Sequence, residues 1–161
     1  MKSIKKVILT ILVSLIFFST YAQVSGGFEF IQQDITEIIY AVSLSNSTPI
    51  VCDDTVTGRA SFRFAGKDFN AAFESFLSSN RLYVNKKTDV WTVSRIKIEI
   101  NPDSPDCYSI DAYDVKPERL FEGISETTGV PIIHEALPSL TTSIHVKNTT
   151  PAEAVSLIMK S

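Results

Sequence analysis

The feature that most constrains this chain is a spacing of 82 residues. Ala60 to Phe64, ASFRF, alternates Phe62 and Phe64 with Ser61 and Arg63, which predicts a strand with one buried face. Asp68 to Leu77, DFNAAFESFL, follows, and Phe69, Ala72, Phe73, Phe76 and Leu77 fall at helical spacing on one face. Asp68 is placed to cap that helix by accepting from its free first-turn amides. The segment Ser143 to Met159, SIHVKNTTPAEAVSLIM, repeats this layout without a gap. Phe62 falls on Ile144, Phe64 on Val146, Ala72 on Ala154 and Phe76 on Ile158, while Pro49-Ile50 falls on Pro131-Ile132. One unit is used twice.

The fold class that follows is α/β in the α+β sense, with two small tandem sandwich modules. Each is expected to run strand, helix, strand, strand, helix and then a closing strand pair. In the first module, Phe28 to Arg95, Phe28 and Phe30 begin a strand. Asp34 opens a helix striped by Ile35, Ile38, Ile39 and Val42, with Glu37 in a capping-box position. Ile50 to Cys52 reads as a buried strand, Asp53 to Gly58 as a turn, and Leu82–Val84 with Val90–Val93 as the closing hairpin.

Residues 96–107 are expected to be a linker. Ile96, Ile98 and Ile100 alternate out of phase with Trp91 and Val93, so a bulge or domain exit belongs near Ser94-Arg95. Two prolines between Asn101 and Asp106 argue against helix or ladder there. The second module, 108–161, starts with a strand bearing Tyr108, Ile110 and Ala112, then a helix with Pro117 in its first turn and Leu120, Phe121 and Ile124 on its stripe. Gly129 closes that helix, Ile132-Ile133 is expected as a strand, and Thr150, Pro151 and Glu153 start the last helix. This copy is expected to be truncated, because it lacks the closing pair.

Residues 1–22 read as a secretory signal peptide. Lys2, Lys5 and Lys6 precede the apolar run Val7 to Phe18, with the small residues Thr20 and Ala22 before a cleavage site. A retained anchor is the alternative, but the run is shorter than the roughly 20 residues a spanning helix needs. Removing three of 15 basic residues leaves twelve against 18 acidic ones, a net charge of −6. That balance disfavours nucleic acid, whose phosphates call for a basic surface.

No catalytic, cofactor or metal constellation is legible. His134 and His145 lie in different expected elements without ligands at metal spacing. Asp53-Asp54 sits in DDTVTG, a turn-forming context. Gly26-Gly27, Gly58 and Gly66 do not form a phosphate loop. Cys52 and Cys107 could bridge the modules in an oxidising compartment, although Cys52 lies in an apolar run where a free thiol also fits. Arg59, Arg63, Arg81, Lys86 and Lys87 give the first module basic surface, and Tyr83 and Trp91 read as core.

Three patterns then combine: FxFxxxDIxEII from Phe28, TPIVxDDTVTG from Thr48, and the helix xxFxxAFxxFL ending at Leu77. Together they resemble the short N-terminal domain shared by bacterial secretins and TonB-dependent signalling receptors, over Phe28 to about Val93. The family usually carries a glycine where this chain has Ser45 to Thr48; the second copy supplies it as Gly129. The resemblance implies an exported, periplasmic assembly module of a secretin-type outer-membrane channel for protein secretion or pilus export. It implies no enzymatic role and no small-molecule substrate. Partners would be proteins of an export machine, met through sheet edges, with a homo-oligomeric ring in the full-length protein. The alternative is the signalling module of a TonB-dependent receptor, which carries a single copy. A small secreted hydrolase, the third reading, would need a convergent polar pocket.

Overall fold

A computed structural model describes residues 27, 29–46, 48–65, 68–86, 88–137 and 139–160. The expected leader, Phe28, Gly26, Gly66 and Lys87 lie outside the described residues. Among the described residues, four helices and eight strands in three small sheets make an α+β fold.

The first unit runs β1 (Glu29–Asp34), α1 (Ile35–Asn46), β2 (Ile50–Cys52), β3 (Arg59–Arg63), α2 (Phe69–Ser79), β4 (Tyr83–Asn85) and β5 (Trp91–Ser94). β1 and β3 form an antiparallel pair, while β2 lies parallel to β5, which pairs antiparallel with β4. The apolar stripe of α1 and the inward residues of these sheets bury together as Ile35, Ile38, Ile39, Val42, Phe62 and Val93. Phe73, Phe76 and Leu77 of α2 join them, and the ring of Phe76 lies 4.9 Å from that of Phe62. Asp68 caps α2 as expected, accepting from Ala71 N–H at 3.0 Å. Asp34 stays in the ladder opposite Arg59, and α1 starts one residue later with Ile35 N–H donating to Gly58 O at 3.0 Å.

The second unit comprises β6 (Ile96–Asn101), β7 (Ser104–Val115), α3 (Pro117–Thr128), β8 (Thr142–Thr149) and α4 (Pro151–Ile158). Its core gathers Ile110, Leu120, Phe121, Ile124, Ala154 and Ile158. The 82-residue offset recurs in the backbone. α3 spans the positions of α1 advanced by 82, and Thr150 caps α4 where Asp68 caps α2. The pairs Phe30↔Phe62 and Gln33↔Ala60 reappear as Ala112↔Ile144 and Val115↔Thr142, with the same register shift between them. At that bulge Gln32 and Asp114 both take positive φ, 50° and 55°. Their amides donate to Ser61 Oγ and Ser143 Oγ respectively, each at 3.0 Å. A left-handed non-glycine residue is costly unless something holds it, and here the same serine does so twice.

Three expectations change. The stretch 96–107 is not a linker: Ile96 to Asn101 is β6, laid antiparallel on β7, so the sheet of the second unit reads β6-β7-β8. The prolines fit because Pro102 sits in the turn, where Asn101 Oδ1 accepts from Asp103 N–H at 3.0 Å. Pro105 falls in the irregular stretch between the Asn101↔Ser104 and Ile100↔Tyr108 pairs, where the ladder asks for no N–H. Second, Ile132-Ile133 is not a strand. Its counterpart β2 is held by β5, and no described residue takes the place of β5 in the second unit. Third, Cys52 and Cys107 are free thiols. Cys52 packs against the first core, whereas Cys107 rides at the turn end of the β6–β7 hairpin. That end lies about five strand residues, roughly 16 Å, from Arg95.

Candidate functional site

The residues that join the units are more specific than any that the sequence singles out. Arg95 stands between β5 and β6, at the expected exit, and is only 8 % exposed. Its amide donates to Thr55 Oγ1 at 2.8 Å, and its guanidinium donates to Thr57 O at 2.7 Å and Asn80 O at 3.3 Å. Nε has no hydrogen-bond partner among the described residues. The carbonyl of Arg95 in turn accepts from Tyr113 N–H of β7 at 3.3 Å. One residue therefore anchors its side chain and amide in the first unit and its carbonyl in the second. Thr55 is positioned by Asp53, whose Oδ1 accepts from Thr55 N–H at 2.9 Å. Asp53 is thus the turn former that its context suggests.

Two further contacts cross the joint. The Arg81 guanidinium lies over the Tyr113 ring at 3.9 Å, a cation–π geometry. Arg119 of α3 bonds Asp54 at 2.8 Å and also pairs with Glu122. Burial alone would lower the Arg119 pKa, but Glu122 and Asp54 outweigh it and the guanidinium is held above its usual value.

Beside the joint, β4 and β6 diverge around a cleft of about 890 Å³. Tyr83 and Val84 line one wall and Ile96 and Ile98 the other, with Arg119 and Gly123 of α3 between them. A Cβ at Gly123 would come within 3.3 Å of Ile98 Cδ1, so the glycine lets α3 sit close on β6. Burial, and secondarily the Asp111 carboxylate, push the Tyr83 hydroxyl up from its ordinary pKa. Two ion pairs lie in the cleft, Lys86 with Glu74 at 3.2 Å and Lys97 with Glu99 at 2.9 Å.

The remaining candidates are dispersed. His134 follows α3, its ring 5.5 Å from that of Phe121 and its Nδ1 2.8 Å from Glu135 O. His145 pairs with Asp111 across β8 and β7, at the positions that Arg63 and Glu29 hold in the first unit. Among the described residues no group of three His, Cys, Asp or Glu side chains is arranged to hold a metal ion. Burial, and then neighbouring Asp53, push the Cys52 thiol up to about 11, away from the reactive thiolate. Of the basic residues, Arg59 donates to Gln32 O at 2.7 Å and Lys86 lies over Trp91 at 4.4 Å.

Sequence reasoning missed Arg95, Tyr113 and Arg119. The signal for Arg95 was present: a basic residue at the position where the alternation of β5 and β6 changes phase. Nothing in the sequence pairs Arg81 with Tyr113, because that contact depends on the angle between units. No protein-family model, curated protein or solved structure matches the chain.

Proposed function

We propose that the chain is a pair of periplasmic assembly modules of a secretin-type outer-membrane channel, docking onto other proteins of an export machine rather than catalysing a reaction. The observation that carries this reading is the tandem repeat, two copies of one small α+β unit joined through a buried residue. Such a body offers edges and faces to partners at a fixed mutual angle. The two copies favour the secretin arrangement over a receptor's single signalling module. Exposed strand edges on β1 and β8 support partner binding through main-chain hydrogen bonds. Exposed Ile31, Tyr40 and Leu44 add apolar contact area on the first unit.

The test is made in the producing cell, with a photo-crosslinking residue at Ile31 or Lys147. The expected result is a periplasmic protein beginning at Gln23 that crosslinks into a ladder of oligomers with an outer-membrane barrel. A protein that keeps its first 22 residues, or that stays monomeric without adducts at both positions, would defeat the proposal.

A further inference from the structure

Equivalent surfaces of the two units differ in what covers them. In the first, β5 pairs parallel to β2, Trp91 with Ile50, Thr92 with Val51 and Val93 with Cys52, and β4 closes β5 from outside. Ile50 and Leu77 are buried together with Leu82 and Val93. Advanced by 82 positions, Ile50 becomes Ile132, Cys52 becomes His134 and Leu77 becomes Met159. The frame beneath is kept: Ser43 Oγ accepts from Ile50 N–H at 3.0 Å, and Ser125 Oγ accepts from Ile132 N–H at 3.1 Å. The cover is not. Met159 is 58 % exposed against 3 % for Leu77, and His134 is exposed where Cys52 is half-buried.

We propose that Ile132 to His134, with Met159 beside them, form the seat of a strand pair of the β4–β5 kind. Its inner strand runs parallel to 132–134 and reads large apolar, polar, apolar, as Trp91, Thr92 and Val93 do on β2. The pair enters from the C-terminal end of α4, since β4 enters from the C-terminal end of α2, with only Asn80 to Leu82 between. A second copy of the seat is a poorer occupant. Twofold pairing of one strand with its own copy is antiparallel, whereas β2 takes its partner parallel. The inference rests on the internal repeat and is independent of the proposed function.

The test adds a copy of Asn80 to Arg95, sixteen residues, directly after Ser161, which preserves the 82-residue offset. Amide hydrogen exchange is followed by NMR in the full chain with and without the addition. The seat predicts that the Ile133 and Glu135 amides slow by about tenfold or more, as the counterpart of Glu135, Asp53, donates its N–H to Val93 O of β5 at 3.0 Å, and that Met159→Asp in the extended chain abolishes the slowing. The Ile110 amide in β7, the central strand of its sheet, reports whether the unit stays folded. Should the extension disturb it, the same sixteen residues are supplied as a free peptide and the same amides read. No slowing with Ile110 still protected, or equal slowing by a scrambled sequence, would overturn the proposal. So would slowing in the unextended chain that grows with protein concentration, since the seat would then be taken by a second copy.

Discussion

Leu77 lies in the first core with Leu82 and Val93, while at the same place in the second unit Met159 meets solvent. Beneath that difference the two units agree in the length of the first helix, the ladder register, the bulge and the position of the second helix's cap. The contrast separates two kinds of structure. The bulged ladder and its two helices are fixed by contacts within about fifty residues and survive in both copies. The β2 strand is made by its partner: Ile50 to Cys52 is a strand beside β5, and Ile132 to His134, with the same serine anchoring its first amide, is not.

The comparison can be broken most directly in the cores. Phe76→Ala should cost about 3–5 kcal/mol and Leu77→Ala about 2–5 kcal/mol, from lost burial and the cavity left behind. Met159→Ala should stay within about 0.5 kcal/mol, as for an exposed side chain. Urea unfolding of the three variants decides, and equal losses at Leu77 and Met159 would erase the distinction between the units. Next in size is the joint. Arg95→Met removes charged hydrogen bonds to the Thr57 and Asn80 carbonyls, each such bond being worth about 1.5–3 kcal/mol. NMR relaxation should then give the units separate tumbling times, whereas a single time in the variant would show that Arg95 does not hold them together.

Smaller effects sharpen the likeness. Ser61→Ala and Ser143→Ala each remove the bond to a left-handed residue, and each should cost about 0.5–1.5 kcal/mol. Unequal costs would show that the shared bulge is not energetically equivalent. The smallest effect belongs to the second unit alone. Thr150 N–H, and then its hydroxyl, hold the Glu153 carboxyl below its ordinary pKa, and the first unit has Ala71 there. A depressed folded pKa means that the capping contribution is present above the ordinary glutamate value of about 4.3. It is lost as pH falls through the lower folded value. First-turn amides of α4 should loosen in that window, and Glu153→Gln should remove that pH dependence; hydrogen exchange that loosens equally in the variant would refute the assignment.

Most of the frame was legible in the sequence because it rests on local periodicity and caps: the alternation of Phe62 and Phe64, the stripe of Phe73 and Phe76, Asp68, and Thr150 with Glu153. What escaped depended on partners distant in sequence. Pro102 and Pro105 suggested a break, yet a proline in a turn or an irregular stretch leaves the flanking ladder intact. Ile132-Ile133 carried the apolar character of a strand without the neighbour that makes one. Cys52 and Cys107 were open to pairing until the β6–β7 hairpin carried the second to its far end. The joint was half visible, in the phase change at Arg95 but not in the contacts of Arg81 and Arg119.

Arg95 has a geometric consequence. A connection of one residue, pinned on both sides, specifies a single rotation and translation that carries the first unit onto the second. Any further unit attached through the same kind of joint would be placed by that same operation, and then the next. A row of such units would trace a screw whose pitch and handedness are already written in one arginine and the three carbonyl groups around it, its own included.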